Sequence, residues 1–252
     1  MKSPITDRHS FKSLRVLKRL FPEKSIIESY LLYSGEIELE LSSTNRMVIA
    51  HTNKYPVYEF WWMAKHRGRQ VGAMANNIIP RMTSTSLEIF QDNWYTQRDP
   101  VYRAALFYLL NVCSSTSCAS GGAIEKEQAT PLRLQRFKKL DTTNFYIMLD
   151  KFEDFHLTIN SQLNSHFKLF PIGNYRSNLL ETGSKGAPDL TFVSHKKLWK
   201  RLEAADYKWV LLYKFHPHLL KLLDAYNIIM VDEKGNENIN PSACEDLIVT
   251  NF

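Results

Sequence analysis

Glycine is scarce in this sequence, with 9 residues among 252. Loops that hold a phosphate or a nucleotide cofactor use glycine for tight turns and for close approach of the backbone to the ligand. The shortage therefore argues against a glycine-rich nucleotide site. The chain also lacks any apolar run close to the roughly 18 residues of a membrane span, and its start has no pattern typical of a secretory signal.

Cysteine is rarer still, and its three residues are Cys113, Cys118 and Cys244. An odd number without a secretory signal predicts reduced thiols in a cytoplasmic protein. Cys113 and Cys118 have no second cysteine pair or histidine cluster beside them in the sequence, so the spacing predicts no zinc site. His195, His216 and His218 are interpreted as capping or exposed residues, and the sequence predicts no other metal site.

The charge is basic, with a net value of +6, and two segments carry much of it. Such patches suit a polyanion partner such as DNA, although a solvated helical face has the same composition. Both interpretations stay open. The candidate contact residues for DNA or a protein partner are Lys12, Arg15, Lys18, Arg19, Arg133, Arg136, Lys138 and Lys139.

Hydrophobic periodicity predicts an α/β fold with a mixed sheet of about seven strands. The predicted strands are 25–32, 46–51, 144–149, 166–170, 208–215, 228–233 and 245–252, and the last two form an antiparallel hairpin. The predicted helices are 11–21, 57–66, 99–112, 196–206 and 216–227. The stretch "EIELEL" fits either a strand or a helix end. Residues 64–140 are predicted to be a mostly helical insertion in an α/β domain of residues 1–63 and 141–252.

Four stretches resemble one family along nearly the whole chain. They are "RVLKRLFPEKSIIES", "RMVIAHTNKYPVYEFWW", "RDPVYRAALFYLLN" and "NPSACEDLIVTNF". The sequence is similar to the Dam-type DNA adenine methyltransferases, particularly those of tailed phages. The resemblance implies a Rossmann-like S-adenosylmethionine-dependent methyltransferase fold, in which the insertion is the equivalent of the DNA target-recognition region.

The cofactor motifs of that family are altered in this chain. Its Phe-x-Gly-x-Gly loop corresponds to Tyr30 through Ser34, where Leu32 and Ser34 replace both glycines. The family's ribose-binding aspartate corresponds to His51, which is interpreted as a surface or strand-end histidine. The family's amino-terminal Gly-Gly-Lys has no counterpart. We therefore expect S-adenosylmethionine binding to be lost and no cofactor to be bound.

The catalytic motif is altered as well. The family carries Asp-Pro-Pro-Tyr after its fourth strand, and the matching residues here are Ile172, Gly173, Asn174 and Tyr175. Isoleucine cannot accept a hydrogen bond from an adenine amine, and a shift of register that uses Asn174 loses the stacking ring.

The family's DNA-reading hairpin has an arginine, an aromatic residue and an asparagine. Ala119, Ser120 and Gly121 take their places, and these side chains cannot make bidentate base contacts. Residues 179–190 contain Gly183 and Gly186 but no complete phosphate-loop pattern, so they are interpreted as a loop.

The sequence thus predicts a catalytically inactive methyltransferase-like protein. It would act as a binding or structural and assembly component, in the cytoplasm of a bacterial host or in a phage particle, with a protein as its partner. Two alternatives are a DNA-binding protein without sequence specificity and a divergent, active adenine methyltransferase. No membrane contact is expected.

Overall fold

The computed structural model describes residues 2–7, 10–129, 135–140, 142–151, 159, 165–175, 187–191 and 193–252. The described helices are α1 (Leu14–Leu20), α2 (Glu36–Ser42), α3 (Tyr55–Ile78), α4 (Ser84–Asn93), α5 (Pro100–Cys113), α6 (His195–Glu203) and α7 (Pro217–Leu222). The described strands are β1 (Ile26–Ser29), β2 (Met47–Thr52), β3 (Phe145–Leu149), β4 (Phe167–Gly173), β5 (Trp209–Lys214), β6 (Asn227–Asp232) and β7 (Cys244–Thr250). None of the described helices is long and apolar enough to cross a membrane.

The described strands form one sheet in the order β3-β2-β1-β4-β5-β7-β6. Strands β1 to β5 pair in parallel, whereas β7 is antiparallel to both β5 and β6. A parallel sheet that reverses beside its first strand and ends in an antiparallel hairpin is the arrangement of the S-adenosylmethionine-dependent methyltransferase fold. The predicted fold class is confirmed.

Each face of the sheet has its own apolar core. One face packs against α1, α2, α3 and α5 and includes Leu17, Trp61, Phe107 and Leu169. The opposite face includes Tyr30, Phe170, Leu198 and Trp209. Both faces are covered, which explains why the central strands read as continuous apolar runs.

Helix α5 begins where the sequence predicts it. The Asp99 carboxylate accepts hydrogen bonds from Val101 N at 2.7 Å and from Tyr102 N at 3.1 Å, and Pro100 occupies the first helical position. An N-cap followed by proline fixes a helix start. The helix is then buried from Ala104 to Cys113.

Helices α3 and α5 are joined by a bidentate pair between Arg103 and Glu59, with Arg103 Nε donating to Glu59 Oε2 at 2.6 Å. Helix α3 runs from Tyr55 to Ile78, so the expected start of the insertion at residue 64 falls inside it. The stretch "EIELEL", for which two interpretations were open, is helix α2.

Strand β4 is longer than predicted. The expected end was residue 170, but β4 continues through Pro171 and Ile172 to Gly173, with a bulge in its pairing to β5. Proline is tolerated here because the pairing of β4 with β1 ends at Leu169, so no neighbouring strand requires the N–H that proline lacks. Gly173 has φ +88°, which favours glycine at the end of the bulge.

Candidate functional site

The loop after β1 lies at the carboxyl ends of the central strands, where ligands bind in open α/β sheets. Gly35 precedes α2 with φ +65°, and a Cβ atom placed on it would lie 2.5 Å from Trp61 Cζ2. The Trp61 indole N–H donates to Tyr33 O at 2.7 Å. Glycine at this position therefore lets an indole from α3 approach the backbone.

Three aromatic rings are stacked across the ends of β2, β1 and β4. Tyr30 lies between His51, at a centroid distance of 4.7 Å, and Phe170, at 5.0 Å, with interplanar angles of 14° and 10°. All three rings are buried. We call Tyr30, His51 and Phe170 the ring stack.

His51 was interpreted as a surface or strand-end histidine. It does lie near the end of β2, but it is not on the surface. Its Nδ1 is 2.8 Å from Asp150 Oδ1, and its side chain is 2% exposed. No described residue bonds its Nε2. The imidazole is buried because it packs against Tyr30 and pairs with the residue that follows β3.

A buried ion pair lies beneath the ring stack, and the sequence interpretation missed it. Lys168 Nζ is 3.3 Å from Glu28 Oε2, and both side chains are at most 5% exposed. The Tyr30 hydroxyl donates to Glu28 at 3.0 Å, and Lys168 Nζ donates to Ile159 O at 2.8 Å. These hydrogen bonds offset part of the desolvation cost of the two charges. The sequence feature that could have indicated this pair is the presence of Glu28 and Lys168 within two predicted strands that are otherwise largely apolar.

The position that corresponds to the family's catalytic aspartate is part of a core. Ile172 is fully buried among apolar side chains on the ring-stack face of the sheet. Gly173 ends β4, and Asn174 and Tyr175 follow it, both half-buried. A buried isoleucine side chain offers no hydrogen-bond acceptor to a substrate.

Tyr175 belongs to an aromatic group at the ends of β4 and β5. Its ring centroid is 5.2 Å from His195, 5.3 Å from His216 and 6.1 Å from Trp199, whose ring is nearly parallel. His195 Nδ1 is 3.0 Å from the Tyr213 hydroxyl. The interpretation of His195 as capping or exposed is wrong, because this residue is 5% exposed and packs inside the group.

His216 caps helix α7, as expected, since its Nδ1 accepts from His218 N at 3.2 Å. The described residues contain no group of three or more His, Cys, Asp or Glu that could hold a metal ion. The contacts of the histidines around Tyr175 are ring packing and the cap of α7.

The hairpin between Ser114 and Ile124 is folded against the protein. Its tip residue Ala119 is fully buried, and Ala119 N donates to Asp189 Oδ2 at 3.0 Å. The same carboxylate oxygen accepts from the Tyr33 hydroxyl at 2.9 Å and lies 3.4 Å from Cys118 Sγ. Burial, and next the charge of Asp189, raise the pKa of both Tyr33 and Cys118. The hairpin thus binds to the loop after β1.

Asn111 of α5 ties the amino-terminal segment to that hairpin. Its side-chain amide donates to Ser117 O at 2.8 Å and to Thr6 O at 3.1 Å, and its oxygen accepts from Thr6 N at 2.8 Å. Ser3 bonds to Ser34 O in the loop after β1. The amino-terminal segment, the hairpin and the loop after β1 therefore close over the strand ends together.

A small cleft remains between these segments, with a volume of about 40 Å³. Its lining includes Leu31, Ser34, Glu36, Cys118 and Ile172. Burial, followed by the charge of Asp7, raises the pKa of Glu36.

Four of the five predicted basic contact residues whose side chains the structure describes contact other residues of the protein. Lys18 Nζ is 2.7 Å from Glu40 Oε1, Arg19 pairs with Glu237, and Arg15 donates to Asn236 Oδ1 at 2.8 Å. Arg136 donates to Ser3 O at 2.9 Å, whereas the Lys12 side chain is exposed. Arg133 and the side chains of Lys138 and Lys139 lie outside the described part of the chain, as does most of the loop 179–190.

No protein-family model and no curated protein matches this sequence. Among solved structures, the fold is similar to that of a TehB-like SAM-dependent methyltransferase from Corynebacterium glutamicum, with a TM-score of 0.41 and 8% sequence identity. The alignment covers 95% of this chain and 86% of that chain. The strand order, rather than this overlap, carries the assignment of the methyltransferase fold.

Proposed function

We propose that this methyltransferase-fold protein has lost S-adenosylmethionine binding and methyl transfer and acts as a binding or assembly component. The observation that carries the proposal is the ring stack. Tyr30, His51 and Phe170 pack face to face over the ends of β2, β1 and β4, which is the edge that a cofactor would use in this fold.

The size of the cleft supports the same proposal. The cleft that the described residues leave at these strand ends measures about 40 Å³, whereas pockets for ligands of cofactor size measure roughly 300–1,000 Å³. Opening it would require the hairpin, the amino-terminal segment and the loop after β1 to separate. Such a movement breaks the buried hydrogen bonds of Asn111 and Asp189.

The chemistry of the remaining positions also supports inactivity. Ile172 presents a buried aliphatic side chain where the Dam-type family has its aspartate, and Ala119 of the hairpin faces the protein interior. Methylation of an adenine amine requires an acceptor for its protons and a site for the flipped base. The described residues supply neither at these two positions.

We place the ancestry of the chain in the Dam-type adenine methyltransferases, in a phage-like member. Support comes from the Asp99-capped helix α5, the hairpin that follows it, and the sheet that resumes with β3. In this proposal the partner is a protein, and the site of action is the host cytoplasm or a phage particle. The chain keeps the fold because the fold supports a surface rather than an active centre.

Binding of DNA through the predicted basic residues has less support. Lys18, Arg19 and Arg15 already contact Glu40, Glu237 and Asn236, so these internal contacts compete with a phosphate for each cation. An intramolecular pair of this kind weakens the counterion release that drives backbone binding to DNA.

Transfer of a labelled methyl group from S-adenosylmethionine to duplex DNA tests the proposal, with an active Dam-type enzyme as the positive control. We expect no labelled adenine. We also expect none from the single variant Ile172→Asp, because it restores the carboxylate of the motif while the ring stack and the buried hairpin remain. Labelling by the unmodified protein would overturn the loss of catalysis.

A further inference from the structure

Strand β3 lies at one edge of the sheet. Along the strand, the backbone N–H and C=O groups of successive residues point alternately towards β2 and away from it. Val48 N donates to Asn144 O, and Asp150 N donates to Thr52 O, both at 2.9 Å. The backbone groups of residues 144, 146, 148 and 150 therefore point towards β2, and those of Ile147 and Leu149 point away from it. No described strand pairs with that side of β3.

The opposite edge of the sheet is covered in part by its own chain. Asn238 N donates to Met230 O at 3.0 Å, and Asp232 N donates to Asn236 O at 2.9 Å. The segment that leaves β6 thus returns along it. Proteins cover or charge their outer strands because a free strand edge pairs readily with another chain. The outer side of β6 thus receives backbone hydrogen bonds from its own chain, whereas no described strand pairs with the outer side of β3.

Apolar side chains are concentrated around the free side of β3. Tyr146 and Met148 are each 43% exposed, and Leu149 is 39% exposed. Exposed apolar groups at one place indicate an interaction surface more strongly than the same groups scattered singly. We call Ile147 and Leu149, with Tyr146 and Met148, the β3 edge.

Lysines lie at both ends of the β3 edge. Lys65 Nζ donates to Phe145 O at 2.5 Å and lies 4.9 Å from the ring centroid of Tyr146. Lys151 follows the strand and is exposed. Asp150, the acidic residue of segment 142–151, is 6% exposed and faces His51. Among the residues that the structure describes, the β3 edge is therefore apolar at its centre and positive at its ends.

This charge distribution distinguishes between two occupants of the edge. If a second copy paired antiparallel around Ile147, Lys151 of one copy would lie opposite residue 143 of the other, next to its Lys65. Like charges brought together in this way oppose pairing. A strand with acidic residues at both ends places opposite charges there instead.

We infer that the β3 edge binds an extended segment of a partner protein, with an apolar centre and acidic residues at both ends, which joins the sheet as an additional strand. Backbone hydrogen bonds to Ile147 and Leu149 supply affinity, and the flanking side chains supply specificity. The inference rests on the proposed binding function and names its surface and the chemistry of its partner.

The probe is the peptide Glu-Thr-Val-Thr-Val-Thr-Glu, labelled with a fluorophore, and the matched peptide carries lysine in place of both glutamates. We expect the acidic peptide to bind the full chain and to slow amide hydrogen exchange at Ile147 and Leu149. Leu149→Pro should abolish binding, since it removes an outward N–H that the folded sheet does not use.

Charge reversal provides a test that does not disturb the strand. Lys151→Glu should weaken binding of the acidic peptide by about fivefold and improve binding of the lysine peptide. Lys234→Glu changes an exposed lysine near the opposite edge. It should leave the affinities for both peptides unchanged.

Equal binding of the two peptides, or no protection of Ile147 and Leu149, would overturn the inference. So would sedimentation as a dimer in which the same two amides are protected without peptide. If the protein binds neither the acidic peptide nor S-adenosylmethionine, only the inference about the β3 edge is overturned, and the proposed loss of the cofactor stands. Binding of S-adenosylmethionine overturns the proposed loss of the cofactor, whatever the peptide does.

Discussion

The ring of Tyr30 lies parallel to the imidazole of His51, with centroids 4.7 Å apart and an interplanar angle of 14°. The two residues come from neighbouring parallel strands, β1 and β2, at their carboxyl ends. In the Dam-type resemblance these positions belong to the cofactor loop and to the ribose-binding acid. In this protein they contact each other, and the contact stabilises the fold.

Removal of the central ring should be costly. We expect Tyr30→Ala to lower the free energy of unfolding by about 3–5 kcal/mol, because the buried side chain packs on two rings and leaves a cavity. Tyr30→Phe keeps the stack and loses the hydrogen bond to Glu28, so it should cost about 1–2 kcal/mol. Urea denaturation measures both. A cost below about 1 kcal/mol for Tyr30→Ala would contradict the structural role of the stack.

The buried pair beneath the stack gives a second test. Lys168→Met leaves Glu28 charged and without its cation, which should destabilise the protein by about 3–5 kcal/mol. The double variant with Glu28→Leu removes both charges and should recover much of that loss. A double-mutant cycle by urea denaturation measures the coupling, and additive effects would show that the two charges do not interact.

The hairpin contacts of Tyr33 and Cys118 predict a loss of stability in alkali. Both groups have a pKa that is raised by burial and then by Asp189, and both are neutral when protonated. Their contribution is therefore fully present below the unfolded pKa values, about 8.5 for cysteine and 10 for tyrosine, and is lost as the pH rises towards the folded values.

Unfolding followed by fluorescence from pH 7 to pH 11 measures this dependence. The combined variant Tyr33→Phe and Cys118→Ala should be less stable at pH 7 but should show a shallower decline above pH 9. An identical decline in the two proteins would assign the alkaline loss to other groups.

The internal pairing of the basic residues predicts weak contact with DNA. We expect no binding of unrelated duplexes at about 50 mM salt, and no further change when Lys12, Arg15, Lys18 and Arg19 are replaced by glutamine. Fluorescence anisotropy over a salt series measures it. Binding that weakens steeply with salt, is indifferent to sequence and is lost in the variant would restore the DNA-binding alternative.

The architecture could be predicted from the sequence because it depends on local patterns. Apolar runs separated by turn residues located the strands, and Asp99 with Pro100 marked the start of α5. The end of β4 was misplaced, because Pro171 and Gly173 indicate a turn when read locally. These two residues are accommodated by a bulge in the pairing with β5 and by the end of the pairing with β1 at Leu169. Both features depend on neighbouring strands.

For the candidate site, the sequence could show only which residues replace those of the Dam-type motifs. The sequence predicts that His51 and Ile172 are unsuited to the family's chemistry, but their surroundings come from residues far apart in the chain. The ring stack requires β1, β2 and β4 to meet, and burial of Ala119 requires Asp189. Such contacts are a property of the assembled sheet, so no local pattern contains them.

Titration calorimetry with S-adenosylmethionine tests the central claim most directly. The account predicts no measurable heat of binding up to about 1 mM cofactor, because the ring stack and the buried hairpin occupy the strand ends. A micromolar dissociation constant, with binding weakened by substitutions at Tyr30 or His51, would contradict the account and restore the active methyltransferase as the better description.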